Sequence, residues 1–265
     1  MTERSDMAND GGTSKPGYVF SAPVLSREVG GGAPEAVRRR LVLALDVDDS
    51  VLAMRWAARL RPWFGVAKVG LELFSAAGPA AIGSLLEGGF QVFVDLKMAD
   101  IPNTTRKAAR VLGALGVSFL TVHAWAGPAT LEAAVQGLAE GADRAGLAPP
   151  MALAVTILTS EAEAPVDLMR ALVTSARDAG CGGVVCAAAD LDEVKKVAPS
   201  LVTVVPGIRR AGADKHDQGR SATPGQAARL GADMLVIGRA VTQADDPEKA
   251  AIAIVEELSD ALTGR

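Results

Sequence analysis

The sequence predicts an α/β fold, a single (β/α)8 TIM barrel preceded by a flexible N-terminal extension. Three observations carry this. From residue 41, short apolar runs alternate eight times with longer Ala-rich amphipathic stretches. The short runs are almost continuously apolar, as parallel strands covered by helices are. No G-x-G-x-x-G follows the first run, which disfavours a doubly wound sheet.

Taken in order, the expected strands are "LVLALD" (41–46), "GVAKVG" (65–70), "QVFVDLK" (91–97), "VSFLTVHA" (117–124), "MALAVTIL" (151–158), "GGVVCA" (182–187), "LVTVVPG" (201–207) and "DMLVIGRA" (233–240). Helices are expected between them at 50–61, 76–87, 104–114, 128–142, 167–178, 190–197, 224–230 and 247–262. Residues 1–37 are rich in Gly, Ser, Asp and Pro and lack periodicity, so they are read as a flexible tail. Residues 38–265 are read as the barrel, with Arg38–Arg40 a solvated flank before the first strand.

Composition narrows the function. Of 265 residues, 49% are apolar, enough for a large core, and only 4% are aromatic. A formal charge of −4 argues against a general nucleic-acid binder. No apolar run approaches a membrane span, and no secretory signal is evident, so a cytoplasmic protein is expected. Cys181 and Cys186 lack metal-site spacing and are expected to be packing thiols.

In a barrel of this kind the active site lies at the C-terminal ends of the strands. Those ends carry Asp46, Lys68, Asp95 with Lys97, His123, Thr159, Cys186, the Pro206–Arg209 turn and Gly238–Arg239. The stretch "VFVDLKMADIPNTT" (92–105) is the densest: three charges stand at and just beyond a strand that is otherwise apolar. Residues two apart share a strand face, so Phe93, Asp95 and Lys97 should point together into the barrel mouth. Pro102 disfavours helix at Ile101, leaving Asp100 in a loop and free to reach elsewhere. A lysine among carboxylates is favoured in its charged form, a poised proton donor. Burying such charges costs several kcal/mol per ion even when they are paired, which favours a catalytic role over a structural one. With two histidines and no carboxylate pair beside them, a metal site is not expected. His123 is read as structural and His216 as a loop residue.

"DLKMADIPNTT" resembles the signature D-x-K-x-x-D-I-P-N-T of the orotidine 5′-monophosphate decarboxylase family. Around it, in the family's order, stand "LALDVDD", "KVGLELF", "TVHAWAG", "LTS", "VVPGIRR" and "IGRAVTQADDP". The resemblance spans about 41–262 and leaves the tail outside it. It implies decarboxylation of orotidine 5′-monophosphate (OMP) to UMP and CO2 in de novo pyrimidine biosynthesis, without metal or other cofactor. It implies that Lys97 protonates C6 within an Asp95–Lys97–Asp100 array and that Asp95 sits beside the substrate carboxylate. Lys68 and Asp46 would bind the ribose hydroxyls and orient the charged array. Thr159 would contact the pyrimidine, a role Ser160 could share. Arg209, Gln218, Gly238 and Arg239 would hold the phosphate. Asp100, Ile101 and Thr104 would reach the neighbouring subunit's site, making the enzyme a homodimer with shared active sites. The long loop after strand 7 reads as a closing lid. Two alternatives stay open: a metal-dependent sugar-phosphate decarboxylase or aldolase of the same barrel family, and a non-catalytic UMP-binding barrel.

Overall fold

A computed structural model of the chain describes residues 32–158, 161, 165–209 and 221–264. The described chain opens with a short helix, α1 (Glu35–Arg38), and then runs β1 (Leu41–Ala44), α2 (Ser50–Leu60), β2 (Val66–Gly70), α3 (Leu71–Ala77), α4 (Pro79–Glu87) and β3 (Gln91–Met98). It continues through α5 (Pro102–Ala114), β4 (Phe119–His123), α6 (Pro128–Ala145), β5 (Met151–Val155), α7 (Val166–Asp178), β6 (Gly183–Val185) and α8 (Leu191–Val197). The last elements are β7 (Val202–Val205), α9 (Pro224–Arg229), β8 (Met234–Ile237), α10 (Arg239–Thr242) and α11 (Pro247–Thr263).

The strands pair in parallel, each with the next, and β8 closes on β1. The expected barrel is therefore present. Alternation within each strand divides the core in two. Val42, Val66, Phe93, Phe119, Leu153, Val204 and Met234 fill the barrel interior. Their neighbours Leu43, Ala67, Val92, Val94 and Leu120 face the helix layer. Phe93 and Phe119 meet edge-to-face at 6.1 Å inside the barrel, and Phe93 also lines the space at its mouth.

Three expectations need correction. The expected helix at 76–87 is two helices, because Gly78 takes φ +57° and ψ −145° and hands the chain to Pro79. The stretch 71–75, left between the expected strand and helix, is helical as part of α3. The expected boundary between residues 37 and 38 cuts α1, whose Val37 is fully buried against the barrel. Residues 1–31, expected to form the tail, lie outside the described residues.

Helices α5 and α6 touch backbone to backbone. A Cβ at Gly141 would fall 2.0 Å from the Arg110 carbonyl oxygen, and one at Gly137 would fall 2.3 Å from that of Arg106. Such crowding cannot be relieved by rotating a side chain. Gly141→Ala is expected to lower stability by about 1–3 kcal/mol, the usual cost of overpacking, read as a fall in the urea midpoint. Gly83→Ala on α4, where a Cβ meets open space, is expected to be neutral or stabilising by up to about 1 kcal/mol.

Candidate active site

The C-terminal ends of the strands enclose a cavity of about 270 Å³. Asp46, Lys68, Asp95 and Lys97 line one side of it, and Arg209, Gly238 and Arg239 also contribute to the lining. Ile157, Leu158, Val185 and Cys186 add apolar wall. Cations, carboxylates and an apolar surface in one small space suit a flat ring carrying anionic groups.

The charged side is a chain of ion pairs. Lys68 Nζ lies 2.8 Å from Asp46 Oδ1 and 3.6 Å from Asp95 Oδ2. Lys97 Nζ donates to both oxygens of Asp95 at 2.9 Å. The Lys68 and Asp95 side chains are 9% and 13% exposed, whereas that of Lys97 is 34% exposed and reaches the open cavity. Burial alone would push the Asp95 carboxyl up. The charges of Lys68 and Lys97, with hydrogen bonds from Lys97 and Thr121, outweigh it and hold the group below its ordinary value. Asp95 is thus an anion between two cations.

Local backbone sets this arrangement. Lys68 stands in the middle of β2, in register with Ala44 and Phe93, and Gly70 leaves room for its head: a Cβ there would lie 2.9 Å from both Lys68 Nζ and Asp46 Oδ1. On β3, simple alternation holds only as far as Asp95. Val94 pairs with Leu120 and Met98 with Val122, so four steps of β3 match two of β4. That irregularity carries Lys97 at φ +49°, the one non-glycine residue with positive φ among the described residues. Lys97 therefore reaches the cavity through a left-handed turn in a bulge, not by the strand period that predicted it. A conformation of this kind costs of order 1–3 kcal/mol and persists where its surroundings fix it.

Sequence reasoning did not mark Gly70 or Thr121. Thr121 is fully buried on β4, and its hydroxyl contacts both Asp95 and the Lys97 main chain. A polar residue two positions before His123 on an apolar strand was the available signal. His123 lies beside this cluster. Burial, reinforced by the charge of Lys97 and opposed by Asp95, lowers its pKa. Its Nδ1 accepts from the indole N–H of Trp125 at 2.7 Å, as a neutral imidazole does.

Asp100, Ile101 and Thr104 are not brought to this cavity. All three are exposed at the junction of β3 and α5. Asp100 Oδ1 accepts from the Ile101 N–H, and the Asp100 carbonyl accepts from the hydroxyls of Thr105 and Thr130. Ile101 is 64% exposed and Trp125 69% exposed. Thr159 and Gln218, together with Ser160 and His216, lie outside the described residues, as does most of the expected lid. The two ends of that loop meet at a bridge between Ile208 and Ala222, with the Arg209 N–H donating to Ala222 at 2.9 Å. Cys181 and Cys186 are buried, and burial pushes the Cys181 thiol up to about 12, as expected for packing thiols.

Residues 39–254 match the model of the orotidine 5′-phosphate decarboxylase / HUMPS family. The chain is 43% identical over 232 residues to the orotidine 5′-phosphate decarboxylase of Moorella thermoacetica, covering 83% of this chain and 92% of that one. It is 44% identical over 230 residues to the protein of the same name from Anaeromyxobacter sp., covering 83% and 98%. Among solved structures, orotidine 5′-phosphate decarboxylase from Lactobacillus acidophilus superposes with a TM-score of 0.71 at 34% identity, covering 83% of this chain and 99% of that one.

Proposed function

Since this chain belongs to the orotidine 5′-phosphate decarboxylase family, we propose that it converts OMP to UMP and CO2 by proton transfer from Lys97, without metal or other cofactor. The supporting observation is the doubly paired Asp95 carboxylate, with Lys97 presenting its ammonium to the cavity.

The pyrimidine would lie against Ile157 and Leu158 with its C6 carboxylate toward Asp95 and Lys97. Two anions would then face each other with the Lys97 ammonium between them. Breaking the C6–carboxylate bond expels CO2 and leaves an electron pair on C6. Lys97 stabilises that developing charge, then gives its proton to C6, and solvent reprotonates the amine. No reorganisation is needed, because the Asp95 and Lys68 contacts have already set the ammonium in place. Lys68 and Asp46 would take the ribose hydroxyls, with Thr159 at the ring. Arg209, Gln218, Arg239 and the Gly238 turn would take the phosphate, whose binding can assist chemistry at the distant ring.

The working unit would be a homodimer in which Asp100, Ile101 and Thr104 complete the neighbour's site. The exposure of this segment, outside its own cavity, supports that reading. No helix among the described residues is long and apolar enough to cross a membrane. Together with the mild acidic charge, this fits a cytoplasmic enzyme of pyrimidine biosynthesis that binds neither membrane nor nucleic acid.

The test is the ultraviolet absorbance of OMP over time with purified protein and excess EDTA. Loss of the orotate chromophore with CO2 release is expected. A flat trace that recovers only with a divalent metal and a sugar phosphate would favour the metal-dependent relative. UMP binding without turnover would favour a nucleotide-binding barrel. The relatives at 43% and 44% identity, both named as decarboxylases, favour the first outcome.

A further inference from the structure

We propose that Thr121 is a positioning residue, whose buried hydroxyl holds Lys97 in its left-handed turn and fixes the Asp95 carboxylate against it. The Lys97 main-chain N–H donates to Thr121 Oγ1 at 2.9 Å, and Thr121 Oγ1 donates to Asp95 Oδ1 at 3.0 Å. The direction of each bond is settled by chemistry. An amide N–H only donates, an ionised carboxylate only accepts, and one hydroxyl has a single proton to give. Thr121 therefore spends its proton on Asp95 and accepts the amide.

The need for such a link follows from the bulge. Regular pairing of β3 with β4 stops at Val94–Leu120 and resumes at Met98–Val122. Between those points the ladder does not serve the Lys97 N–H, and the Thr121 side chain takes its place. Thr121 is itself held rigidly, paired in register with Leu153 on β5 and fully buried. One atom thus ties the backbone that aims Lys97 to the carboxylate that orients its ammonium. The Lys97 side chain can then be presented at one height above the cavity floor. Displacement of a reacting group by about 1 Å can cost about 10²-fold in rate.

The inference rests on Lys97 acting as the proton donor, and the experiment separates the two. Thr121→Val keeps the shape and removes the hydroxyl, while Thr121→Ser keeps the hydroxyl and removes the methyl. With OMP as substrate, Thr121→Val is expected to lose about 10²-fold in kcat while KM and the affinity for UMP change little. Thr121→Ser is expected to retain most of the wild-type kcat. Where valine fails to fold, the ratio of Thr121→Ser to Thr121→Ala isolates the hydroxyl. Amide hydrogen exchange at Lys97, read by NMR, needs no turnover. It is expected to be slow in wild type and Thr121→Ser and fast in Thr121→Val or Thr121→Ala. Unchanged kcat in Thr121→Val, equal losses of kcat and UMP affinity, serine behaving like alanine, or undiminished protection of the Lys97 amide without the hydroxyl would each overturn the positioning role. Wild-type protein that leaves OMP intact would overturn the decarboxylase reading instead, with the exchange measurement still deciding whether Thr121 holds the turn.

Discussion

Replacing Lys97 with alanine is expected to lower kcat by about 10⁴-fold or more while leaving UMP binding largely intact. Two effects are lost together. General acid catalysis is worth about 10²–10⁴-fold, and a preorganised charge at the developing anion about 10²–10³-fold. They overlap in one ammonium, so the two factors do not multiply. A loss of about 10⁴ corresponds to roughly 5.5 kcal/mol of transition-state stabilisation. The fold should survive, since the Lys97 side chain is only half-buried and Asp95 keeps Lys68 at 3.6 Å and the Thr121 hydroxyl at 3.0 Å. UMP should still bind through the proposed phosphate and ribose contacts, which involve other residues. Single-turnover decay of OMP and calorimetry with UMP measure the two quantities separately. Near-normal turnover would remove Lys97 from the acid role, and loss of UMP affinity in step with kcat would make it a binding residue.

The second large effect concerns assembly. Asp100→Ala should inactivate a dimer as Lys97→Ala does, because each proposed site needs one residue from each chain. Mixing the two inactive proteins should restore turnover. Random exchange of equal amounts makes half the dimers hybrid, and each hybrid has one intact site, so about a quarter of wild-type sites should return. Differently tagged subunits, co-purified after mixing, establish that exchange has occurred. No recovery despite exchange would place Asp100 outside the neighbour's site. The exposure of Asp100 on its own barrel, while Asp95 and Lys97 five and three residues earlier line the cavity, makes this the informative pair.

Much of this was legible in the sequence, and the reasons differ by level. The barrel was legible because continuously apolar strands and amphipathic helices leave periods that no turn chemistry obscures. The charged residues were legible because Asp46, Lys68, Asp95 and Lys97 stand within or just after apolar runs, where an ion is out of place unless it has partners. The bulge at Lys97 was not. A lysine carries no signal for positive φ, and strand alternation placed it on the right side for the wrong reason. Thr121 escaped because threonine is common in strands as a β-former, and its value here lies in partners that only the folded barrel supplies. Gly70 escaped because its role is the absence of a Cβ beside two side chains that meet across strands. Residues 71–75 of α3 were missed because a seven-residue helix between a strand and a glycine leaves too short a period to distinguish from a connection.

The contact between α5 and α6 bears on how this chain can be recombined with its relatives. With the Arg106 and Arg110 carbonyls seated where side chains would otherwise stand, the two helices have no layer of exchangeable side chains at their closest approach. Thr130 at the start of α6 also holds the carbonyl of Asp100, just before α5. Graft boundaries in a chimera therefore belong before Asp100 and after Ala145, so that the segment proposed to reach a neighbouring subunit travels with the helix that supports it. A crossover between α5 and α6 would join two surfaces shaped by separate histories, at a distance where one methyl group is already too much.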